Sequence, residues 1–292
     1  MSWLLLSIVA YFLTAIVTVV DKFLLEQRLR NPLVFTLYVG ILNSLAFLLW
    51  PFDFSFLDFR TTFLAFTAGV TFLAAIFFFY SAVKKGEISR VVAFVGGVSP
   101  IFLFGLSHLF LSERLPVFWL ASFFLLVLGG LILAFERSGV NFFYSFFASL
   151  FFAVTFFCTK MVFTGTTFIN GFVWIRAGTV FAAVLIFFFF LLRKFRFGGY
   201  VKIPKETLFL FAGNKALGAL SFGVLNYAIM LGPVALINAL QGTEYVFIFL
   251  IVLFFTYFRP DFVRESFTFE KSAQKILGII LVSAGAFVLF FF

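Results

Sequence analysis

The chain has 292 residues, 64% of them hydrophobic and 11% charged, with a formal net charge of +9. Soluble domains average about 45–50% apolar and about 25% charged, so this chain cannot cover itself against water and must take lipid as its solvent. A single Cys and a single His exclude an internal disulfide and the usual thiolate or imidazole metal centres; no metal and no cofactor is expected.

Met1-Ser2-Trp3 leads straight into an apolar run, with no basic start and no small-residue cleavage site, so the first segment is expected to be retained. A hydrocarbon core about 30 Å thick needs about 20 helical residues. Ten stretches qualify: about 2–20, 33–50, 62–83, 91–111, 117–135, 142–163, 169–192, 207–230, 234–258 and 276–292. The period-2 alternation of membrane β-strands is absent, and helices satisfy their backbone within the segment. The predicted fold is an all-α polytopic membrane protein with ten transmembrane helices and no soluble domain.

The loops after spans 1, 3, 5, 7 and 9 carry sixteen Lys and Arg. The opposite loops carry only Arg60, Arg114 and Lys160. The +9 charge therefore sets topology rather than marking a nucleic-acid partner. The basic loops are expected in the cytoplasm and both termini outside it, in the plasma membrane.

The two halves echo each other. Aligned on Gly86 and Gly232, Gly86-Glu-Ile-Ser-Arg-Val-Val-Ala93 lies over Gly232-Pro-Val-Ala-Leu-Ile-Asn-Ala239, and Gly96 falls on Gly242. Asp21-Lys22 closes span 1 as Thr159-Lys160 closes span 6; Gly129-Gly130 in span 5 matches Ala284-Gly285-Ala286 in span 10. Five spans per copy is odd, so the second copy enters from the other side. The expectation is two inverted-topology five-helix repeats, residues 1–138 and 139–292, an arrangement suited to alternating access.

Charge within the bilayer is costly and marks function by default. Arg176 in span 7, Lys215 in span 8 and Glu244 in span 9 are the candidates for lining a wet cavity; the alternative is an ion pair of Glu244 with Lys215 or Arg176. Asn238, Gln241 and Tyr245 share one face of span 9, and Asn214, Asn226, Tyr227 and Asn43 add polar groups. Trp174 and Tyr80 could stack on a ligand or serve packing. Glu244 and His108 are the candidates for proton coupling. Lys22 and Lys160 sit near helix ends and are expected to snorkel to the headgroups. Glu113 and Arg114 are expected to cap and pair at the turn between spans 4 and 5.

Several of these features, in order, resemble the drug/metabolite transporter superfamily, in its ten-helix EamA-like branch with two EamA repeats: Tyr80-Ser-Ala, the Gly86-Glu-Ile-Ser turn, Pro100, Glu113-Arg114, Gly129-Gly130, and Lys160 followed by Trp174 and Arg176. The pattern departs from the family where Tyr38 to Ser44 lacks an Arg and where the loop between spans 9 and 10 lacks its Glu. Family members usually have cytoplasmic termini, opposite to the charge count. The resemblance implies a secondary active transporter of a small metabolite. Two cations and one carboxylate in the presumed cavity suggest an amino acid or an organic anion. A flippase of a lipid-linked substrate is the alternative. An intramembrane enzyme would need a nucleophile with a base or a metal cluster, which the sequence does not offer. The expected partners are a small-molecule substrate and the lipid bilayer; oligomeric state is not legible.

Overall fold

The computed structural model describes residues 2–27, 31–111, 113, 115–134, 141–192, 205–258 and 269–291. They form α1 (Ser2–Gln27), α2 (Pro32–Leu42) running on as a 3₁₀ stretch (Asn43–Phe52), α3 (Phe59–Lys85), α4 (Ile88–Phe110), α5 (Val117–Ala134), α6 (Phe142–Gly165), α7 (Phe168–Leu192), α8 (Lys205–Leu231), α9 (Val234–Ala239), α10 (Gln241–Phe258) and α11 (Phe269–Phe291). Ten spans are long and apolar enough to cross a membrane, one of them made of α9 and α10 together. No strand occurs among the described residues.

Local chemistry sets the helix ends. Asn31 caps α2 by accepting from Leu33 N at 3.0 Å, with Pro32 in the first turn, where its missing N–H costs nothing. Asp58 caps α3 by accepting from Thr61 N at 3.2 Å. Arg90, one of the sixteen Lys and Arg assigned from sequence to the basic loops, instead lies in the first turn of α4, buried and paired with Glu87 at 2.7 Å.

Small residues bring the helices close. At the α5–α11 crossing, a Cβ on Gly129 would meet Val282 Cγ2 at 2.8 Å and Gly278 O at 3.0 Å; a Cβ on Gly285 would meet Leu126 Cγ at 2.8 Å and Ser122 O at 3.1 Å. One shift of 156 positions carries each member of the first set onto a member of the second. Where α4 crosses the α9–α10 span, a Cβ on Gly96 would come 3.5 Å from Gly242 N, so the two glycines aligned in sequence meet in space.

Lys22 and Lys160 behave in the same matched way, and neither snorkels. Lys22 Nζ donates to Val83 O (2.6 Å) and Gly86 O (2.8 Å), at the end of α3. Lys160 Nζ donates to Ile229 O (2.9 Å) and Gly232 O (2.8 Å), at the end of α8. Each ammonium sits where a helix leaves its last carbonyls unsatisfied and its dipole is negative.

The α3–α7 crossing lacks an equally close counterpart. α3 packs along α7, with Gly69 and Gly178 so close that a Cβ on Gly69 would lie 2.3 Å from Thr179 N and one on Gly178 2.7 Å from Phe66 Cα. The pair that the expected repeat would set against it, α8 with α2, touches through Phe211 against Phe35 and Tyr38, ring centres 5.4 and 6.0 Å apart, and through the Lys215 ammonium over Phe35. Farther along α8, Gly213 and Gly223 have open space where a side chain would be.

Candidate functional site

The charges at Lys215, Glu244 and Arg176 form three separate centres inside the bundle. The first joins α1, α3 and α8. Lys215 Nζ donates to both Asp21 carboxylate oxygens at 2.7 Å, Tyr80 OH donates to Asp21 Oδ2 at 2.9 Å, and Asn214 Nδ2 donates to Asp21 Oδ1 at 2.7 Å. The Lys215 ammonium also lies 4.5 Å from the Phe35 ring centre. Asp21 is 3% exposed. Breaking a buried, well-bonded pair by removing one partner costs about 3–5 kcal/mol. Lys215 is therefore neutralised by Asp21, a residue that the sequence marked only as a helix end, and not by Glu244.

The second centre is Glu244, 2% exposed. The span carrying it is broken: α9 stops at Ala239, Leu240 turns, and α10 starts at Gln241. Thr243 N and Oγ1 both return to Leu240 O, at 2.8 and 2.7 Å. Glu244 thus sits in the first turn of a half-helix, where amide N–H groups favour negative charge. Thr18 Oγ1 of α1 donates to Glu244 Oε1 at 3.0 Å, and Gln241 supplies a further hydrogen bond. No cation pairs with this carboxyl among the described residues. Both side-chain polar atoms of Asn238 and Gln241 Oε1 are buried without a protein partner. A break in mid-membrane is tolerated where it lines a cavity or is enclosed by protein. The sequence signals were Pro233 and Gly242 flanking Asn238 and Gln241 in an otherwise apolar run.

Arg176 on α7 is the third, 3% exposed. Its guanidinium carbon lies 5.0, 4.6 and 4.7 Å from the ring centres of Phe72, Phe172 and Phe222. Nη2 is buried with no acceptor. The ion pair of Arg176 with Glu244, weighed from sequence, does not form. Each cation–π contact is worth up to about 2 kcal/mol when desolvated. That offsets part of the insertion cost of about 2.5–3.5 kcal/mol for a charge at mid-membrane but leaves the guanidinium edge unanswered.

The other residues singled out by sequence disperse. Trp174 Nε1 donates to Ser55 O at 3.1 Å, its ring near Phe54. This belongs to a clasp of the loop after the 3₁₀ stretch on the start of α7, together with Asn170 to Ser55 and Thr167 to Asp53. Asn43 Nδ2 bonds Val39 O and Asn226 Nδ2 bonds Phe222 O, each within its own span. Tyr245 is fully buried, its ring stacked near Phe249; Tyr227 is 42% exposed, its ring against Phe168. His108 is exposed near the end of α4 against Phe104, apart from all three centres. Glu113 Oε1 accepts from Val234 N at 3.3 Å, so it caps the start of α9 across the bundle; Arg114 lies outside the described residues.

Ten apolar spans enclosing charged centres around a broken helix define an integral multi-pass membrane protein. The EamA-like transporter family model matches residues 1–135, so the first half of the chain is similar to that family. No curated protein matches the chain. One solved structure, described only as a crystal structure of a protein, is similar at TM-score 0.61 and 17% identity, covering 98% of this chain and 94% of that one; at that identity the likeness is one of fold.

Proposed function

We propose that the protein is a secondary active transporter of a small metabolite, an amino acid or an organic anion, that works by alternating access between inverted repeats at 1–138 and 139–292. The observation that carries this reading is the unmatched α3–α7 crossing. Contacts around α5–α11, α4–α10 and the two lysine clamps come in matched sets, whereas α3 closes on α7 and α8 stays off most of α2. In a carrier of two exchangeable halves, the alternate state closes α8 on α2 and opens α3 from α7. Glu244, a buried carboxyl bonded only by a hydroxyl and an amide, is the candidate carrier of the coupling proton.

The test begins with a stability screen of the purified protein against amino acids, nucleosides, sugar phosphates and lipid-linked sugars, followed by flux of the hit in proteoliposomes. Glu244→Gln and Arg176→Ala are expected to abolish flux with expression intact; full flux in both removes the site assignment. In a Cys158→Ser background, paired cysteines at Phe66 and Phe181, whose rings lie 5.7 Å apart, report α3–α7 closure. Substrate is expected to change that cross-linking yield in the opposite sense to a Tyr38/Phe211 pair.

The Lys and Arg count supports cytoplasmic basic loops with the termini outside; cysteine labelling from each side of intact cells tests this. A flippase of a lipid-linked substrate is the second reading, favoured by the phenylalanine lining around Arg176 and the uncovered face of α8 at Gly213, Leu220 and Gly223.

A further inference from the structure

Arg176 is the one side chain of fixed charge in the described membrane interior that makes neither a hydrogen bond nor an ion pair with the protein. Its charge cannot be relieved by proton loss, because a guanidinium stays protonated in proteins. We propose that Arg176 binds the head of the transported solute, and that this solute is an organic oxyanion: one carboxylate or phosphate-ester group on an apolar body. The proposal rests on the transport reading and narrows it.

Geometry gives the class. Rings of Phe72, Phe172 and Phe222 surround the guanidinium, while Nη2 lacks an acceptor. Carboxylates and phosphates meet Arg edge-on, accepting two parallel N–H bonds. The surrounding rings supply hydrocarbon for whatever the oxyanion is attached to and no acceptor for an ammonium. Lys215 does not compete, since Asp21 holds it through both oxygens. The cage draws on α3 from one half and on α7 and α8 from the other. Phe222 belongs to α8, which the alternate state moves toward α2, so head-group binding is coupled to the crossing that must change.

The test is binding to the purified full chain in detergent, read by thermal unfolding and by fluorescence of Trp174, two positions away. The probes are 3-phenylpropanoate, phenyl phosphate, the neutral 3-phenylpropanamide and phenylalanine. At least one of the two oxyanions is expected to raise the unfolding midpoint, with no response to the amide and a weaker one to phenylalanine. Arg176→Lys should bind that oxyanion about tenfold more weakly, for loss of the planar fork. Arg176→Met should lose the response and melt above the ligand-free wild type, because it removes an unanswered buried charge. Should Arg176→Met fail to fold, Arg176→Gln keeps a donor without the charge and is expected to lose the response likewise. An oxyanion response that persists in the uncharged variant, or a wild type that responds to neither oxyanion, overturns the proposal. Binding is read without a gradient, so absent flux in liposomes would count against transport and leave the oxyanion site standing.

Discussion

Lys215 and Arg176 are both cations buried in the same bundle, and they have been given opposite surroundings. Lys215 meets a carboxylate through two bonds of 2.7 Å, with Tyr80 and Asn214 completing the shell. Arg176 meets three phenyl rings and no anion. The first is a finished interaction between α1, α3 and α8; the second is half of one. A buried charge is informative about ligands only when the protein has left it unanswered.

The largest expected effect comes from unfinishing the finished pair. Lys215→Met leaves Asp21 buried and uncompensated, and is expected to lower stability by about 3–5 kcal/mol. Asp21→Leu should do the same, while the double variant Asp21→Leu/Lys215→Met recovers most of the loss. A double-mutant cycle in the detergent-solubilised protein measures this. Additive losses would mean that the two residues do not act as a pair. The contrast with Arg176→Met, expected to gain stability, is the sharpest statement of the difference.

Next come the two helix crossings. Gly69→Ala sets a Cβ against backbone at 2.3 Å, and overpacking of this kind costs about 1–3 kcal/mol. The strain falls on the α3–α7 closure, so the Tyr38/Phe211 cysteine pair should cross-link more readily in this variant. Gly213→Ala meets nothing within 4 Å and should gain up to about 1 kcal/mol from helix propensity. Equal effects of the two substitutions would remove the asymmetry between the crossings.

The fold was largely legible because lipid forces long apolar runs: ten stretches were readable and ten spans formed. Their lengths were not. α1 runs to Gln27, beyond the bilayer-length estimate, because Asp21 and Lys22 find partners inside the protein and need not mark a boundary. The break at Leu240 was signalled only weakly, by Pro233 and Gly242, for a related reason. Asn, Gln and Gly are tolerated in intact membrane helices too, and only the neighbouring α1, bringing Thr18 to Glu244, distinguishes a site from a tolerated polar residue. Arg176 and Glu244 were nameable from sequence because charge in hydrocarbon is rare; which of the charges had partners depended on contacts far apart in the chain, such as Asp21 with Lys215 and Thr18 with Glu244.

A smaller effect is expected at Thr18. Thr18→Val removes the hydroxyl donated to Glu244 while keeping the shape, at a cost of about 0.5–1.5 kcal/mol. If Glu244 carries the coupling proton, the pH profile of flux in this variant should move relative to wild type. An unmoved profile with the stability loss present would assign Thr18 to packing alone.

The smallest effect lies at the water-facing start of α3. Hydrogen bonds from the Thr61 side chain and amide hold the Asp58 carboxyl below its ordinary value. A depressed carboxyl stabilises the folded state above its unfolded value, and the contribution is lost as pH falls through the folded one. The loss therefore belongs to mildly acidic solution and below, not to neutrality. Asp58→Asn keeps a capping oxygen for the Thr61 amide but cannot titrate. Near pH 7 it should melt slightly below the wild type, and the gap should close on acidification through the carboxylate range. A gap that stays constant with pH would mean that the cap works through its shape and not its charge, and that the helix dipole contributes nothing measurable at this exposed end.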